Sequence, residues 1–396
     1  MLVFCSDNFC RDMAKSYISA LSEYETCIEF FIPPISDDDL LLHNLPYEED
    51  AQSDVVIKYN IPNIAQYSLT MYKNEEIGIY NSLYGNFMAY EPGLYRIKTY
   101  LQWLYITFKQ FLLSLSSDNT VLIMPEPVLA SRKLCLFIAK ELGFKVVSIS
   151  TAPFYGFVLI DNGQPYQTGT LASLQFKDYI DCINPTEDEI TTYYQWKEVF
   201  ISSKQTRGCD SEINLDEANS VALPSEYILV TGQNPTDANQ IIHQLDIRYD
   251  PIQLIHLLLC HRTYMPIMFK KHPEDTSTTA DLLRWTSRVY VIESNVNIHD
   301  LLPKATHVLT WNSNVGIEAL VYHKPVIVLG QAFYRNIGIT CDLKNYCCLP
   351  DALRFQPDIA KIDKYLCLLT TRFLTSVENY GIMYARIKSI SERGLL

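Results

Sequence analysis

Three polar turns in the second half of the chain carry residue types that can do chemistry, and each follows a short apolar run. Tyr227-Ile228-Leu229-Val230 leads into Thr231-Gly232-Gln233-Asn234-Pro235-Thr236-Asp237. Pro266-Ile267-Met268-Phe269 leads into Lys270-Lys271-His272-Pro273-Glu274-Asp275-Thr276, and Val308-Leu309-Thr310 into Trp311-Asn312-Ser313-Asn314. In the second turn, two cations and an imidazole could neutralise a phosphate or a carboxylate, with Pro273 stiffening the backbone. In the third, Asn and Ser are side chains that accept from the unpaired N–H groups of a helix start, and those N–H groups also attract anions. Gly316 lets a backbone or a ligand approach that first helical turn. Asp237 stands where a helix over Gln240-Ile241-Ile242 would begin, the place of an N-cap. Each turn has a structural alternative: Asn312 and Ser313 as caps alone, His272 as an ordinary loop histidine.

A parallel sheet is what would bring the turns together, because strand ends of one such sheet face the same crevice and open α/β sheets bind ligands there. From Tyr290 to Thr340 the pattern is strand, short helix, strand with polar turn, helix over Val315–Leu320, strand over Val326–Leu329, then an aromatic loop. Lys324-Pro325 ends the helix.

The first half reads as scaffold. Leu2–Cys5 is a strand, followed by a helix from Asn8 to Leu21 and a strand around Cys27–Ile32. Asp37-Asp38-Asp39 precedes Leu40-Leu41-Leu42 and fits a helix cap better than a metal site. Tyr95–Leu115 is an apolar, aromatic helix. Val121–Met124, a helix ending at Gly143, and Val146–Ser150 form a βαβ unit. Its strand ends carry Glu126 and then Tyr155. The chain turns polar between Lys204 and Glu226, and a helical pattern returns over Ile362–Ile390.

Composition narrows the function. With 396 residues, 48% of them hydrophobic and 19% charged, the chain is long enough for two globular domains. A formal charge of −13 argues against nucleic acid as a partner and against tight docking on an anionic membrane. No apolar run approaches the ~20 residues of a membrane span, and Met1–Asp7 lacks a secretory pattern, so the expectation is a cytoplasmic chain. Eleven cysteines without paired spacing fit reduced thiols rather than disulfides or structural zinc.

The string His272-Pro273, Asn312-Ser313-x-Val315-Gly316-x-Glu318-Ala319-Leu320, Lys324-Pro325-Val326, Gly330-x-Ala332-Phe333-Tyr334 and Gly338-x-Thr340 resembles the capsule polysaccharide synthesis family of bacterial sugar transferases. Within it the chain looks most like the retaining β-Kdo transferases, which use CMP-Kdo. The resemblance is dense from about Tyr227 to Thr340. It implies a GT-B-like α/β fold, two Rossmann-type domains facing across a cleft with the last helix returning to the first domain. The spans are 1–205 for an acceptor-side domain, 206–224 for a linker, 225–370 for a donor domain and 371–396 for the returning helix. It implies Asp237 as the nucleophile and His272 as a catalytic donor, although relatives often follow this Asp with Ser where this chain has Ala238. Gln233, Lys271, Pro273, Asn312, Ser313, Asn314, Gly316 and Glu318 would bind the CMP-sugar, Glu318 by holding the ribose or the Asn312–Asn314 turn. Glu126 and Tyr155 would face the acceptor, a lipid-linked O-antigen or capsule glycan at the inner membrane, where partner glycosyltransferases could act. No metal or other cofactor is expected. A CMP-sialic acid transferase, a catalytically silent glycan-binding scaffold of the same fold, and an epimerase acting on UDP-sugars are the competing readings.

Overall fold

The computed structural model describes residues 1–7, 10–32, 104–127, 130–164, 167, 169–206, 224–234, 247–261, 265–275 and 286–393. Asp37-Asp38-Asp39, Asp237 and residues 207–223 of the expected linker lie outside the described residues. The chain opens with β1 (Leu2–Ser6), α1 (Arg11–Leu21) and β2 (Cys27–Phe31). A helical stretch over 104–113 precedes β3 (Val121–Pro125), α2 (Ala130–Glu141), β4 (Lys145–Thr151) and β5 (Phe157–Asp161). Next come α3 (Leu174–Cys182), α4 (Glu187–Ser203), β6 (Tyr227–Thr231), α5 (Pro251–Cys260), β7 (Ile267–Lys270), β8 (Val289–Ile292) and α6 (Ile298–Leu301). The last elements are β9 (Ala305–Thr310), α7 (Asn314–Val321), β10 (Val326–Val328), β11 (Cys341–Asp342), α8 (Leu349–Ala352), α9 (Ile359–Leu368), β12 (Leu374–Ser376) and α10 (Tyr380–Arg393).

Contacts divide the chain into two compact units, Met1–Ser150 with Ile160–Pro165 and Val377–Leu396, and Thr151–Leu159 with Tyr166–Ser376. The sheet that begins at β1 runs in the order β12-β5-β4-β3-β1-β2, with β2, β1, β3 and β4 parallel. β1 and β3 are buried throughout, as expected of parallel strands covered on both faces. Leu134, Ile138 and Ala139 of α2 pack there with Phe108 and Leu112. Gly143, at φ +76°, supplies the left-handed turn after α2. α10 belongs to the first unit: the Tyr384 ring stacks on Tyr24 at 5.2 Å, and Lys388 Nζ lies 3.1 Å from Glu25.

Among the described residues, the second unit contains a sheet of six parallel strands in the order β11-β10-β9-β6-β7-β8. Counting from β6, the chain adds strands in one direction to β8, then starts again on the other side at β9. This is the doubly wound order of Rossmann sheets, and its reversal lies between β6 and β9. Leu254, Ile255 and Leu258 of α5 are fully buried, and α7 is buried from Gly316 to Val321.

The change of unit falls earlier than the sequence suggested. Residues 174–203, expected in the first domain, cluster with the second unit. The reason is on α4: Tyr193 is buried with its hydroxyl 2.6 Å from Asp363, and Lys197 lies 3.0 Å from the same carboxylate. Glu189 forms a two-toothed pair with Arg372 at 2.6 and 2.8 Å, strong enough to pull its pKa down to about 2. β12 stays with the second unit too, so the return to the first begins at Val377 rather than residue 371.

Candidate functional site

The crevice at the β6–β9 reversal is where a sheet of this topology takes its ligand, and two of the three polar turns meet there. Ser313 is the N-cap of α7: its Oγ accepts from the Val315 N–H at 3.2 Å, and its own N–H donates to Thr310 Oγ1 at 3.3 Å. The capping alternative is thus realised, and the hydroxyl retains a proton to donate. Asn314 is the first residue of α7 and is half-buried. Gly316 admits Tyr334: a Cβ at this position would come within 2.7 Å of Tyr334 Cζ and 3.0 Å of Thr310 Cγ2. The close approach is made by a tyrosine from the loop after β10, whose hydroxyl donates to the Ser313 carbonyl at 2.6 Å.

Gln233 and Asn312 lie across the reversal and grip each other. Gln233 Nε2 donates to Asn312 Oδ1, and the Asn312 N–H donates to Gln233 Oε1 at 3.4 Å. Both residues are buried. Their amides therefore fix the crevice floor, whereas the sequence had assigned both to the donor. The Gln233 N–H in turn donates to Tyr249 Oη at 2.9 Å, and the Asn312 carbonyl accepts from Gln167 Nε2 at 3.2 Å.

The third turn follows β7, the neighbour of β6, so its residues stand about 10 Å from the β9 turn by strand spacing. Lys270, one of the two cations read as ligand groups, is turned inward and buried. Its ammonium donates to the carbonyls of Lys271, Glu293 and Ser294, at 2.8 Å for the last. Lys271, half-buried, makes no side-chain hydrogen bond or ion pair among the described residues. His272 Nδ1 accepts from the Glu274 N–H at 3.1 Å, which sets the neutral tautomer that carries its proton on Nε2. Pro273 is exposed, and Glu274 accepts from Asn234 Nδ2 at 3.0 Å, tying this turn to the one after β6.

Glu318 sits on α7 at 2% exposure and accepts from Thr206 Oγ1 at 3.1 Å. It therefore holds the chain after α4 rather than an exposed group. The same stretch is held by Asn297, whose Nδ2 donates to the Lys204 carbonyl at 2.9 Å, and by His299. His299 lies between Tyr322 Oη at 2.8 Å and the Gln205 carbonyl at 3.2 Å. Burial pushes its pKa down to about 4, so the ring is neutral at pH 7.

The first unit has a polar closure of its own. Its sheet reverses between β1 and β3, and there Arg132 donates from Nε and Nη2 to both oxygens of Asp7, at 2.7 and 3.0 Å, with both residues buried. Glu126, half-buried at the end of β3, offers its carbonyl to Arg132 Nη1 at 3.0 Å. Tyr155 is 57% exposed and clusters with the second unit, apart from Glu126 in the division of the chain. Asp7, Arg132, Gln167 and Tyr249 have no signature in the amino-acid string, because their roles arise from partners distant along the chain.

Residues 169–359 match the family model described as capsule polysaccharide biosynthesis protein. A curated relative, the lipopolysaccharide-processing protein LpsZ of Rhizobium meliloti, is 26% identical over 122 residues, 29% of this chain and 27% of that protein. The match thus spans about a quarter of that relative's length. Among solved structures, a Thermosulfurimonas dismutans KpsC β-Kdo 2,7 transferase is 16% identical with a TM-score of 0.45, covering 71% of this chain and 89% of that one. The UDP-GlcNAc 2-epimerase of Methanocaldococcus jannaschii is 13% identical with a TM-score of 0.35, covering 93% and 99%.

Proposed function

From a chain whose residues 169–359 belong to the capsule polysaccharide biosynthesis family, we propose a retaining glycosyltransferase that moves Kdo from CMP-Kdo to a bacterial surface glycan, forming a β-linkage. The observation that carries the reading is the arrangement of the matched segment. Its turns after β6, β7 and β9 stand side by side at the reversal of a Rossmann sheet, with an imidazole, an ammonium and a helix-capping serine among them.

The leaving group of CMP-Kdo is a nucleoside monophosphate, whose negative charge grows as the bond to the sugar breaks. Hydrogen-bond donors already in position stabilise such charge without reorganising. His272 Nε2–H, the Ser313 hydroxyl and the Lys271 ammonium take that role, with Asn314 beside them at the start of α7. Gln233 and Asn312 hold the turns. The reacting carbon is a ketal centre, so its transition state has oxocarbenium character, and a carboxylate can attack it to give a covalent sugar adduct. Asp237 is that carboxylate by sequence resemblance. The acceptor hydroxyl then displaces Asp237 from the adduct, and the second inversion restores the configuration. Positioned donors meet the charge, so this reading calls for no metal. The acceptor is a lipid-linked glycan at the inner membrane. Among the described residues, no helix is long and apolar enough to cross a membrane.

The test has two arms. Calorimetric titration with CMP and with UDP should give binding of CMP alone. Incubation with fresh CMP-Kdo and candidate glycans should add one Kdo to an acceptor's mass, and Asp237→Ala should abolish the gain. Binding of UDP and not CMP would overturn the donor assignment in favour of UDP-sugar chemistry.

A further inference from the structure

Gln167 lies two residues before the segment that matches the family, in a polar stretch with no periodic pattern. Its residue is 1% exposed, which is unusual for a glutamine. The burial is accounted for by its bonds. Nε2 donates to the Asn312 carbonyl at 3.2 Å, Oε1 accepts from the Phe333 N–H at 2.9 Å, and the backbone carbonyl accepts from Gln331 Nε2 at 3.3 Å. One residue therefore joins the turn after β9 to the loop after β10. That loop returns to the same turn through Tyr334 and the Ser313 carbonyl.

We propose that Gln167 is a positioning residue for the nucleotide site, one that sets the Asn312–Asn314 turn by holding the Asn312 carbonyl. The inference rests on the transferase reading and deepens it. Asn312 is gripped from β6 by Gln233 through its N–H and its Oδ1. Gln167 grips the Asn312 carbonyl, and with the Ser313 N–H on Thr310 Oγ1 the peptide that precedes Ser313 is held at both ends. Without Gln167 this peptide keeps only the bond of the Ser313 N–H to Thr310 Oγ1, so its plane can tilt and carry the Ser313 hydroxyl away from its direction at the start of α7. A ligand held by these groups then binds more weakly, while the sheet beneath is unchanged.

Two variants separate the bonds. Gln167→Met removes both side-chain bonds at similar length. Gln167→Glu keeps the acceptor for Phe333 but sets an oxygen against the Asn312 carbonyl. Burial raises a carboxyl pKa, so on acidification that glutamate gains a proton and can again donate to Asn312. CMP affinity is measured by calorimetry at pH 8 and pH 5.5 beside the wild-type chain, with thermal unfolding as the check on folding. At pH 8 both variants should bind CMP at least tenfold more weakly than wild type. At pH 5.5 Gln167→Glu, and not Gln167→Met, should recover most of that loss relative to wild type at the same pH. Wild-type affinity in both variants overturns the assignment and leaves the transferase reading standing. Equal losses without acid recovery, or loss of the fold in both, make Gln167 a packing residue and overturn it as well. Failure of the wild-type chain to bind CMP removes the transferase reading and this inference together.

Discussion

The two sheets reverse their winding in the same manner and close the reversal by opposite means. Between β1 and β3 the closure is ionic, the Asp7 carboxylate gripped by the Arg132 guanidinium. Between β6 and β9 it is neutral, the paired amides of Gln233 and Asn312. A buried guanidinium and carboxylate neutralise each other, and an arriving phosphate meets the fixed carboxylate. Paired amides hold the strands equally well and leave the local field to Lys271, His272 and the start of α7. On the transferase reading proposed above, this difference is why the second reversal and not the first takes the anionic nucleotide.

The largest effect should come from breaking the ionic closure. Arg132→Met takes the guanidinium away from the buried Asp7 carboxylate, a loss of about 3–5 kcal/mol. Urea unfolding should show it, the double variant with Asp7→Leu should regain most of it, and CMP affinity in the second unit should stay as in wild type.

Next in size is the acid effect of His299 in the second unit. His299 has a pKa of about 4 when folded, against about 6.5 when unfolded. Above pH 6.5 the ring is neutral in both states. As the pH falls from 6.5 to 4, the unfolded chain binds a proton that the folded chain does not, so stability drops by on the order of 3 kcal/mol. Unfolding midpoints at pH 7, 5.5 and 4.5 should show a slope that His299→Gln flattens.

Asn312→Asp sharpens the comparison directly, because it gives the second reversal the carboxylate of the first. Gln233 can still donate to it, but CMP affinity should fall by about 2 kcal/mol, or some thirtyfold, as like charges meet. If CMP binds the variant as before, the neutral closure has no bearing on ligand charge. Smallest is His272→Ala. This turn is partly open to solvent, so stability should stay within about 0.5 kcal/mol, while loss of one donor weakens CMP about tenfold in the same titration.

What was legible in the sequence follows from the range of the forces involved. Parallel strands buried on both faces appear as apolar runs, so β6, β7 and β10 are legible within a residue and β9 at its end, though its start lies three residues before the apolar run. A serine before a helix announces a local bond, so the Ser313 cap was readable. Lys270 was taken for a ligand group because its spacing beside Lys271 says nothing of the carbonyls it meets. Glu318 was offered a ribose because Thr206, its partner, stands 112 residues away. The pairing of Asp7 with Arg132 spans 125 residues and that of Gln167 with Asn312 spans 145, and neither leaves a pattern in the string. The first boundary was set late for the same reason, since α4 is bound to its unit by Asp363 and Arg372, far along the chain.

The placement of α10 has a consequence for synthesis. The turn after α1, which carries Tyr24 and Glu25, meets Tyr384 and Lys388 of α10, yet the ribosome makes the two sides far apart along the chain. At roughly 5–20 residues per second, the first unit waits tens of seconds for α10 while the second is being made. Of these two units, the one begun first is therefore closed only after the second has been made, and through that interval the Tyr24 ring lacks the ring it stacks on.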